Sequence, residues 1–231
     1  MKIFNSFTLK VIAIITMLMN HIYTYLSGIY DIPIWFGYLG KLSAPIFFFL
    51  IVEGFFYTKS RMKYLGRLFL FGLIMIGIDN ILGIHNNIFL SLALSIVILL
   101  ILEYGKAVNT KKTYITTMIM VIALGIVYMF TEASIYGLEM TLIFYFFRNK
   151  KLTLSLTYMF FSILPIVPIL FGQGAYEQLM IFDYQWMMIF SLPLILLYNG
   201  KLGLKNSFTK WMFYVFYPAH LIIIQLIAKI I

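Results

Sequence analysis

The basic residues of this chain lie in or beside every second gap between its apolar runs. All seventeen Lys and Arg residues follow this rule except Lys41 and Lys229. Charges held on one side of successive hydrophobic segments form the positive-inside pattern, so these gaps should face the cytoplasm. The chain is 63% hydrophobic and 11% charged, which leaves too few polar side chains to cover a soluble globule. Both features predict a multi-pass protein of the cell (inner or plasma) membrane.

The apolar runs predict an all-α polytopic transmembrane bundle of about nine spans, with a cytoplasmic N-terminus and the C-terminus outside. A span needs about 20 apolar residues. The 231 residues therefore leave no room for a separate soluble domain, and residues 1–231 are interpreted as a single integral-membrane domain. The predicted spans are 9–27, 34–57, 64–82, 87–103, 113–131, 134–147, 152–170, 182–198 and 211–229. The sixth is the weakest candidate for a span. If it did not cross, however, the later basic clusters would fall on the wrong side of the membrane.

Several classes of chemistry lack a motif in this sequence. The net charge of +9 is spread over short loops, where it sets topology and meets anionic lipid, so no nucleic-acid partner is predicted. The chain has no Cys, which excludes a disulfide, a thiolate nucleophile and a thiolate metal site. There is no His-x-x-x-His, no carboxylate pair at helical spacing and no P-loop, so neither a metal site nor nucleotide hydrolysis is predicted.

Ionisable residues inside the predicted spans are the candidates for function, because a charged group in a bilayer is costly and usually faces the bundle interior. They are His21, Lys41, Glu53, Asp79, Glu139 and His220. His21 and Lys41 should reach similar depths from the outer side, and histidine is suited to take a proton near neutral pH. Lys10 lies eleven residues before His21, about three turns, and so on the same helix face. The alternative is a buried His21 that only hydrogen-bonds a neighbouring helix.

A dense cationic cluster follows the second span. Its members, with an aromatic neighbour and a nearby carboxylate, are Glu53, Tyr57, Lys59, Arg61, Lys63 and Arg67. Such a cluster either sets the membrane topology and contacts lipid headgroups, or forms a phosphate-binding rim. In the last span His220 follows Pro218, and a proline in a helix can open space for a polar side chain or simply bend the helix. Asp79 lies near the outer end of the third predicted span. It is either a site residue or a contact to the lipid headgroups.

Seven blocks along almost the whole chain resemble one family. They are Leu9–Met17 leading to His21, Gly40–Phe47, Glu53–Thr58, Tyr64–Leu68, Tyr136–Gly137, Tyr198–Lys201 and Phe213–Leu221. They resemble the TraX family, multi-pass proteins named for acetylation of a conjugative pilin. The spacing from Lys10 to His21 also resembles the first helix of wider membrane-bound acyltransferases. Two positions depart from the family pattern: Asn20 precedes His21 where Asp is usual, and Lys41 stands where Arg is usual.

The resemblance implies an acetyl-CoA-dependent acetyltransferase. Acetyl-CoA would be the donor, and the acceptor would be an amine or hydroxyl of a pilin-like peptide or a surface glycan. It implies His21 as general base and Lys41 as the group that holds the oxyanion or the acceptor. The implied cofactor-binding residues are Lys10, Glu53, Tyr57, Lys59, Arg61, Lys63 and Arg67, and the implied substrate-binding residues are Asn20, Asp79, Tyr217 and His220. Two alternatives stay open: a proton-coupled transporter of a small molecule or lipid, which would use the same buried groups, and an assembly factor that packs against a partner helix.

Overall fold

A computed structural model describes residues 2–229 of the chain. Helices take up 78% of the chain, and no strand forms within the described residues, so the predicted all-helical fold is confirmed. The α-helices are α1 Ser6–Leu26, α2 Trp35–Gly40, α3 Ser43–Tyr57, α4 Arg61–Leu82, α5 Ile88–Val108, α6 Lys111–Tyr128, α7 Ser134–Phe146, α8 Lys151–Ile163, α9 Ile166–Leu170, α10 Ala175–Glu177, α11 Leu192–Leu196 and α12 Ser207–Lys229. Gln178–Phe182 is a π-helix and Gln185–Ser191 a 3-10 helix.

Side-chain caps define where four of the long helices begin. Each cap is a short polar residue whose oxygen accepts a hydrogen bond from the backbone N–H three residues later, one of the donors that a helix start leaves without a partner. The caps are Asn5 for α1, Ser60 for α4, Asn87 for α5 and Thr110 for α6. Gly83 and Asn109 end α4 and α5 in the left-handed conformation that favours such residues.

Six helical segments are long and apolar enough to cross a membrane. They are Ser6–Leu26, Trp35–Tyr57, Arg61–Leu82, Ile88–Val108, Lys111–Tyr128 and Ser207–Lys229. Ala175–Phe182 and Gln185–Leu196 pass the same test together but are bent by 62°, so they form one broken span or a re-entrant loop. The chain is therefore a multi-pass protein with six or seven candidate spans among the described residues. The count of nine and the orientation of the termini stay predictions.

The two remaining predicted spans differ from a full crossing for local reasons. α7 has only 13 residues, too few to cross the hydrocarbon layer along its axis. The predicted span 152–170 is divided, since α8 ends at Ile163 and α9 begins after Pro165. Proline has no N–H to donate and clashes with the preceding turn, which explains a break at this place.

Packing divides the chain into two compact units. The terminal unit is Met1–Phe47 with Phe147–Ile231, and the central unit is Phe48–Phe146. The central unit has a buried polar junction in which the Ser95 hydroxyl contacts the Tyr128 hydroxyl at 2.9 Å and the Thr141 hydroxyl at 2.8 Å. Tyr128 also donates to the carbonyl of Ser91 at 3.0 Å. These bonds join α5, α6 and α7 at a point where an unpaired polar group would be costly.

In the terminal unit, α1 packs against both α2 and α12. The approach to α2 is close: a Cβ atom on Gly40 would lie 2.4 Å from the Cβ of Asn20. The chain before α1 pairs with the chain before α12, where Ile3 donates its N–H to Leu197 O at 2.8 Å and Asn199 donates to Phe4 O at 2.8 Å. The first and last long helices of the sequence are therefore neighbours, which no local sequence pattern requires.

Candidate functional site

Two histidines from opposite ends of the sequence meet inside the terminal unit. His21 lies on α1 and His220 on α12, and each side chain is only 4% exposed. The Nδ1 atom of His21 lies 2.6 Å from the Nε2 atom of His220, a short hydrogen bond. Both residues were predicted site residues, and the structure brings them into direct contact.

The ring geometry supports an in-plane hydrogen bond between the two histidines. Their planes differ by only 13° and their centroids are 4.9 Å apart. That separation is about the 2.6 Å nitrogen–nitrogen distance plus one ring radius on each side. The rings therefore lie edge to edge, so that the N–H of one points along the lone pair of the other, and they do not stack face to face.

A backbone carbonyl then assigns the proton positions in the pair. The Nδ1 atom of His220 lies 2.8 Å from the carbonyl oxygen of Phe216, one turn earlier on α12. A carbonyl only accepts, so this Nδ1 carries a hydrogen, and the Nε2 of a neutral His220 is an acceptor. The Nδ1 of His21 must then donate. In the neutral pair, the Nε2 atom of His21 is left without a proton.

Aromatic side chains surround the histidine pair. The ring of Tyr217 stands edge-on to His21 at 6.0 Å and to His220 at 5.6 Å, and Tyr25 is 6.4 Å from His21. Phe216 lies parallel to His220 at 4.9 Å. Both histidines are buried among rings, and a charge here would lack water, so the neutral pair is the resting form. Tyr217, a predicted substrate-binding residue, belongs to this site.

Lys41 and Asn20 take other partners within the same unit. The Nζ atom of Lys41 lies 5.2 Å from the centre of the Tyr184 ring, and Asp183 is close enough to act on it electrostatically. Tyr184 lies at the bend of the broken helix described above, so Lys41 reaches that break. The Asn20 side chain packs against Gly40. Among the described residues, no hydrogen bond joins Lys41 or Asn20 to the histidine pair.

Lys10 lies at the other end of α1, where a cavity of about 420 Å³ opens beside the start of α12. Lys10 is half-buried. Lys205 and Lys210 line the same cavity. The sequence pointed to Lys10 but treated Lys205 and Lys210 only as topology signals.

The predicted cationic rim belongs to the central unit. Arg61 donates from Nε to the carbonyl of Phe55 at 3.3 Å, and its guanidinium lies 4.1 Å from the centre of the Phe55 ring. Arg67 lies 5.6 Å from the ring of Tyr64. Glu53 is buried, whereas the side chains that reach the surface are Tyr57, Lys59 and Lys63. Arg61 thus has intramolecular contacts already, and the role of this cluster in binding a cofactor stays a prediction.

Asp79 also lies in the central unit, in a cavity of about 620 Å³. His85, Asn87 and Glu132 line that cavity with it. Its carboxylate oxygen Oδ1 is buried and has no hydrogen-bond partner among residues 2–229. Within residues 2–229, no three His, Asp or Glu side chains converge as a metal site would require.

The direct pairing of His21 with His220 was not predicted from the sequence. His220 was implied only as a substrate-binding residue, although one signal for the pairing was present. Only three histidines occur in the chain, and two of them lie inside apolar spans, the first and the last. Two histidines that are each costly to bury are candidates to hydrogen-bond each other. Tyr184, the partner of Lys41, carried no comparable signal.

The fold and the site define a multi-pass helical membrane protein with a buried histidine pair. The chain matches the family model described as "TraX protein" over residues 6–228, so it belongs to the TraX family, as its sequence blocks predicted. It is also similar to the "Probable fimbrial assembly protein FimC, serogroup H1" of Dichelobacter nodosus. The two are 27% identical over 244 residues, which cover 94% of this chain and 93% of the relative. No solved structure matches the chain.

Proposed function

We propose that this protein is a membrane-embedded acetyltransferase that moves an acetyl group from acetyl-CoA to an amine or hydroxyl, with His21 as general base. The supporting observation is the hydrogen-bond chain from the Phe216 carbonyl through His220 to His21. It leaves a lone pair on His21 Nε2, the atom that a general base needs. Membership of the TraX family supports acetyl transfer as the reaction.

In the proposed reaction, His21 Nε2 takes the proton of the acceptor as the acceptor oxygen or nitrogen attacks the thioester carbonyl carbon. The new bond to carbon forms and the carbon–sulfur bond breaks. The thiolate of CoA leaves and takes the proton from His21. The imidazolium formed in between donates from Nδ1 to His220, which spreads the charge toward the Phe216 carbonyl. General-base catalysis of this kind contributes roughly 10²- to 10⁴-fold to a rate.

Lys41 has a proposed part in the same reaction. An ammonium group held near developing negative charge stabilises an oxyanion. Lys41 lies on the face of Tyr184 without a hydrogen bond to the histidine pair, so this role requires its flexible side chain to turn from the ring when substrate binds.

The acceptor is proposed from the relative, which is named as a probable fimbrial assembly protein. A pilin-like peptide fits that name, and a surface glycan is the other acceptor.

The test is the release of CoA thiol from acetyl-CoA by the purified chain in nanodiscs. The chain contains no cysteine, so all thiol that a colour reagent detects comes from CoA. The assay supplies a peptide with a free N-terminal amine or an oligosaccharide as acceptor. We expect His21→Ala to lose release by at least about 100-fold. The matched control is Tyr114→Ala, which removes an exposed ring of the central unit.

Two results would contradict the proposal. One is a wild-type protein that neither binds acetyl-CoA nor releases thiol. The other is a His21→Ala variant that binds acetyl-CoA and turns it over as fast as wild type. Each variant must elute as a single species in detergent, so that loss of activity is separated from loss of folding.

One observation favours the second candidate function, proton-coupled transport. The two halves Ala175–Phe182 and Gln185–Leu196 form a helix broken by 62°, and broken helices often form the binding sites of transporters. Sealed proteoliposomes with a pH-sensitive dye inside distinguish the two functions. A transporter would move protons or substrate without acetyl-CoA and would lose this on His21→Ala. The acetyltransferase proposal expects no such flux.

A further inference from the structure

A basic cavity lies at the start of both helices that carry the histidine pair. It has a volume of about 420 Å³ and belongs wholly to the terminal unit. Its polar lining includes Ser6, Lys10, Lys205, Ser207, Thr209 and Lys210. Of the residues that line it, all of them described, none is Asp or Glu.

The cavity is built by backbone contacts that hold the first residues of α1 against the loop before α12. Ser6 donates its N–H to Lys201 O at 2.9 Å, and Phe7 donates to Leu202 O at 3.1 Å. Gly203 has a φ of +73°, and a Cβ there would lie 2.4 Å from the Oδ1 of Asn5, the cap of α1. The loop that carries Lys205 is thereby attached to the helix that carries Lys10.

The cavity has an excess of positive charge. Three ammonium groups line one space, and Lys10 is half-buried. The salt bridge found among the described residues is Lys106 with Glu103, in the central unit, so none of the three lysines pairs with a carboxylate. The Nζ atom of Lys210 lies 4.9 Å from the centre of the Trp211 ring. Like charges that share a cavity repel each other, and an anion bound between them would remove that cost.

We propose that this cavity binds the phosphate groups of the acyl-CoA donor, an inference that rests on the proposed function. Lys10, Lys205 and Lys210 would contact the phosphate oxygens, and the hydroxyls of Ser6 and Ser207 would donate to them. Lys10 precedes His21 by eleven residues, which is about 16 Å along α1 and close to three full turns. Phosphates held at Lys10 would let the extended pantetheine arm run along that face and place the thioester beside His21.

In this proposal the phosphates bind in the basic cavity and not at the predicted rim of Lys59, Arg61 and Lys63. Arg61 is already bound to the carbonyl and ring of Phe55. The cavity lysines make no such contact with a backbone carbonyl among the described residues. The positive-inside pattern also predicts that 201–210 faces the cytoplasm, where acetyl-CoA is found.

The test measures the dissociation constant of acetyl-CoA for the full chain in zwitterionic nanodiscs. We expect the double variant Lys205→Ala/Lys210→Ala to weaken binding by at least about tenfold, because each charged contact with phosphate is strong. The rival variant, Lys59→Ala/Lys63→Ala, removes the same charge from exposed positions of the predicted rim. We expect it to bind acetyl-CoA within about twofold of wild type, whereas phosphates bound at the rim would make it the weaker variant. Both variants remove exposed lysines, so neither disturbs the core.

Three results would overturn the inference. If wild type binds acetyl-CoA and only the Lys59/Lys63 variant is weakened, the predicted rim holds the phosphates. If both variants bind acetyl-CoA like wild type, and Lys205→Ala/Lys210→Ala loses co-purified phosphatidylglycerol instead, the cavity holds a lipid phosphate. If wild type does not bind acetyl-CoA at all, the proposed function fails together with the inference. The first two results leave the proposed function intact.

Discussion

The Nδ1 atom of His21 and the Nε2 atom of His220 lie 2.6 Å apart, although 199 residues separate them in the chain. The carbonyl of Phe216 orders the hydrogens on this pair by accepting from His220 at 2.8 Å. His220 thus orients the ring of His21 and accepts its Nδ1 hydrogen, as the carboxylate does for the histidine of a Ser-His-Asp triad. In the proposed reaction, His220 is a positioning residue.

Replacing His220 should therefore change the tautomer of His21 and the turnover number. We expect His220→Ala to lower kcat roughly 100-fold with little effect on the KM for acetyl-CoA. His220→Gln should recover part of the rate, because its amide oxygen can accept the Nδ1 hydrogen of His21. Nitrogen NMR of labelled histidine checks the tautomer directly.

The same spectra separate positioning from simple packing. In wild type, the signal of the unprotonated nitrogen of His21 should be that of Nε2, and in His220→Ala it should shift toward the other tautomer. A His220→Ala protein that keeps the wild-type kcat and the wild-type tautomer would contradict the role assigned to His220.

The contact between α1 and α2 predicts a steric effect at Gly40. A Cβ at this position would lie 2.4 Å from the Cβ of Asn20 and 2.8 Å from its Cα, so the two helices would have to separate. We expect Gly40→Ala to lower the melting temperature by several degrees and to reduce activity, since Asn20 precedes His21. Gly77→Ala is the matched control, because no atom of the described part of the chain lies within 4 Å of its new methyl group. Equal melting temperatures for the two variants would refute the steric argument.

The polar junction of the central unit predicts a stability effect without an effect on the proposed chemistry. Tyr128→Phe removes the hydroxyl that contacts Ser95 and the Ser91 carbonyl in a buried setting. The expected cost is about 1–3 kcal/mol, seen as a lower melting temperature in detergent. Tyr114→Phe removes the hydroxyl of a side chain that is 65% exposed, and it should leave the melting temperature unchanged. A Tyr128→Phe protein as stable as this control would show that the junction contributes nothing.

The loop beside the basic cavity offers a prediction on glycine geometry. Gly200 and Gly203 both have positive φ, +78° and +73°, so an alanine at either position bears a similar backbone strain. Only at Gly203 does the new methyl group also meet Asn5. We expect Gly203→Ala to weaken acetyl-CoA binding several-fold more than Gly200→Ala does. The measurement is the dissociation constant of acetyl-CoA for each variant. Equal values would show that this loop does not form part of the donor site.

The helical class and most helix positions followed from local sequence. Runs of apolar residues predicted segments that the structure places at Ser6–Leu26, Ile88–Val108 and Ser207–Lys229. The prediction of nine crossings relied on hydropathy and charge alone, and these do not report helix length. The interruption after Ile163 coincides with Pro165, whereas the 62° bend before Gln185 has no proline beside it in the sequence.

The candidate site was predicted as residue types but not as contacts. His21, His220 and Tyr217 were all predicted site residues, because polar groups inside apolar spans require a reason. Their mutual geometry was not predicted, because it depends on which helices are neighbours. The contact of Lys41 was not predicted either. Its depth suggested a place beside His21, but its ammonium lies instead on the ring of Tyr184.

The sequence by itself determined that this chain is a helical membrane protein, because the cost of exposing apolar side chains to water and of burying charge is a property of each residue. It also determined the family, through blocks of residues in order. Only the tertiary structure decided that α1 and α12 lie side by side, that His21 donates to His220, and that three lysines share a cavity. Those facts depend on contacts between residues far apart in the chain, and such contacts form only when the helices pack.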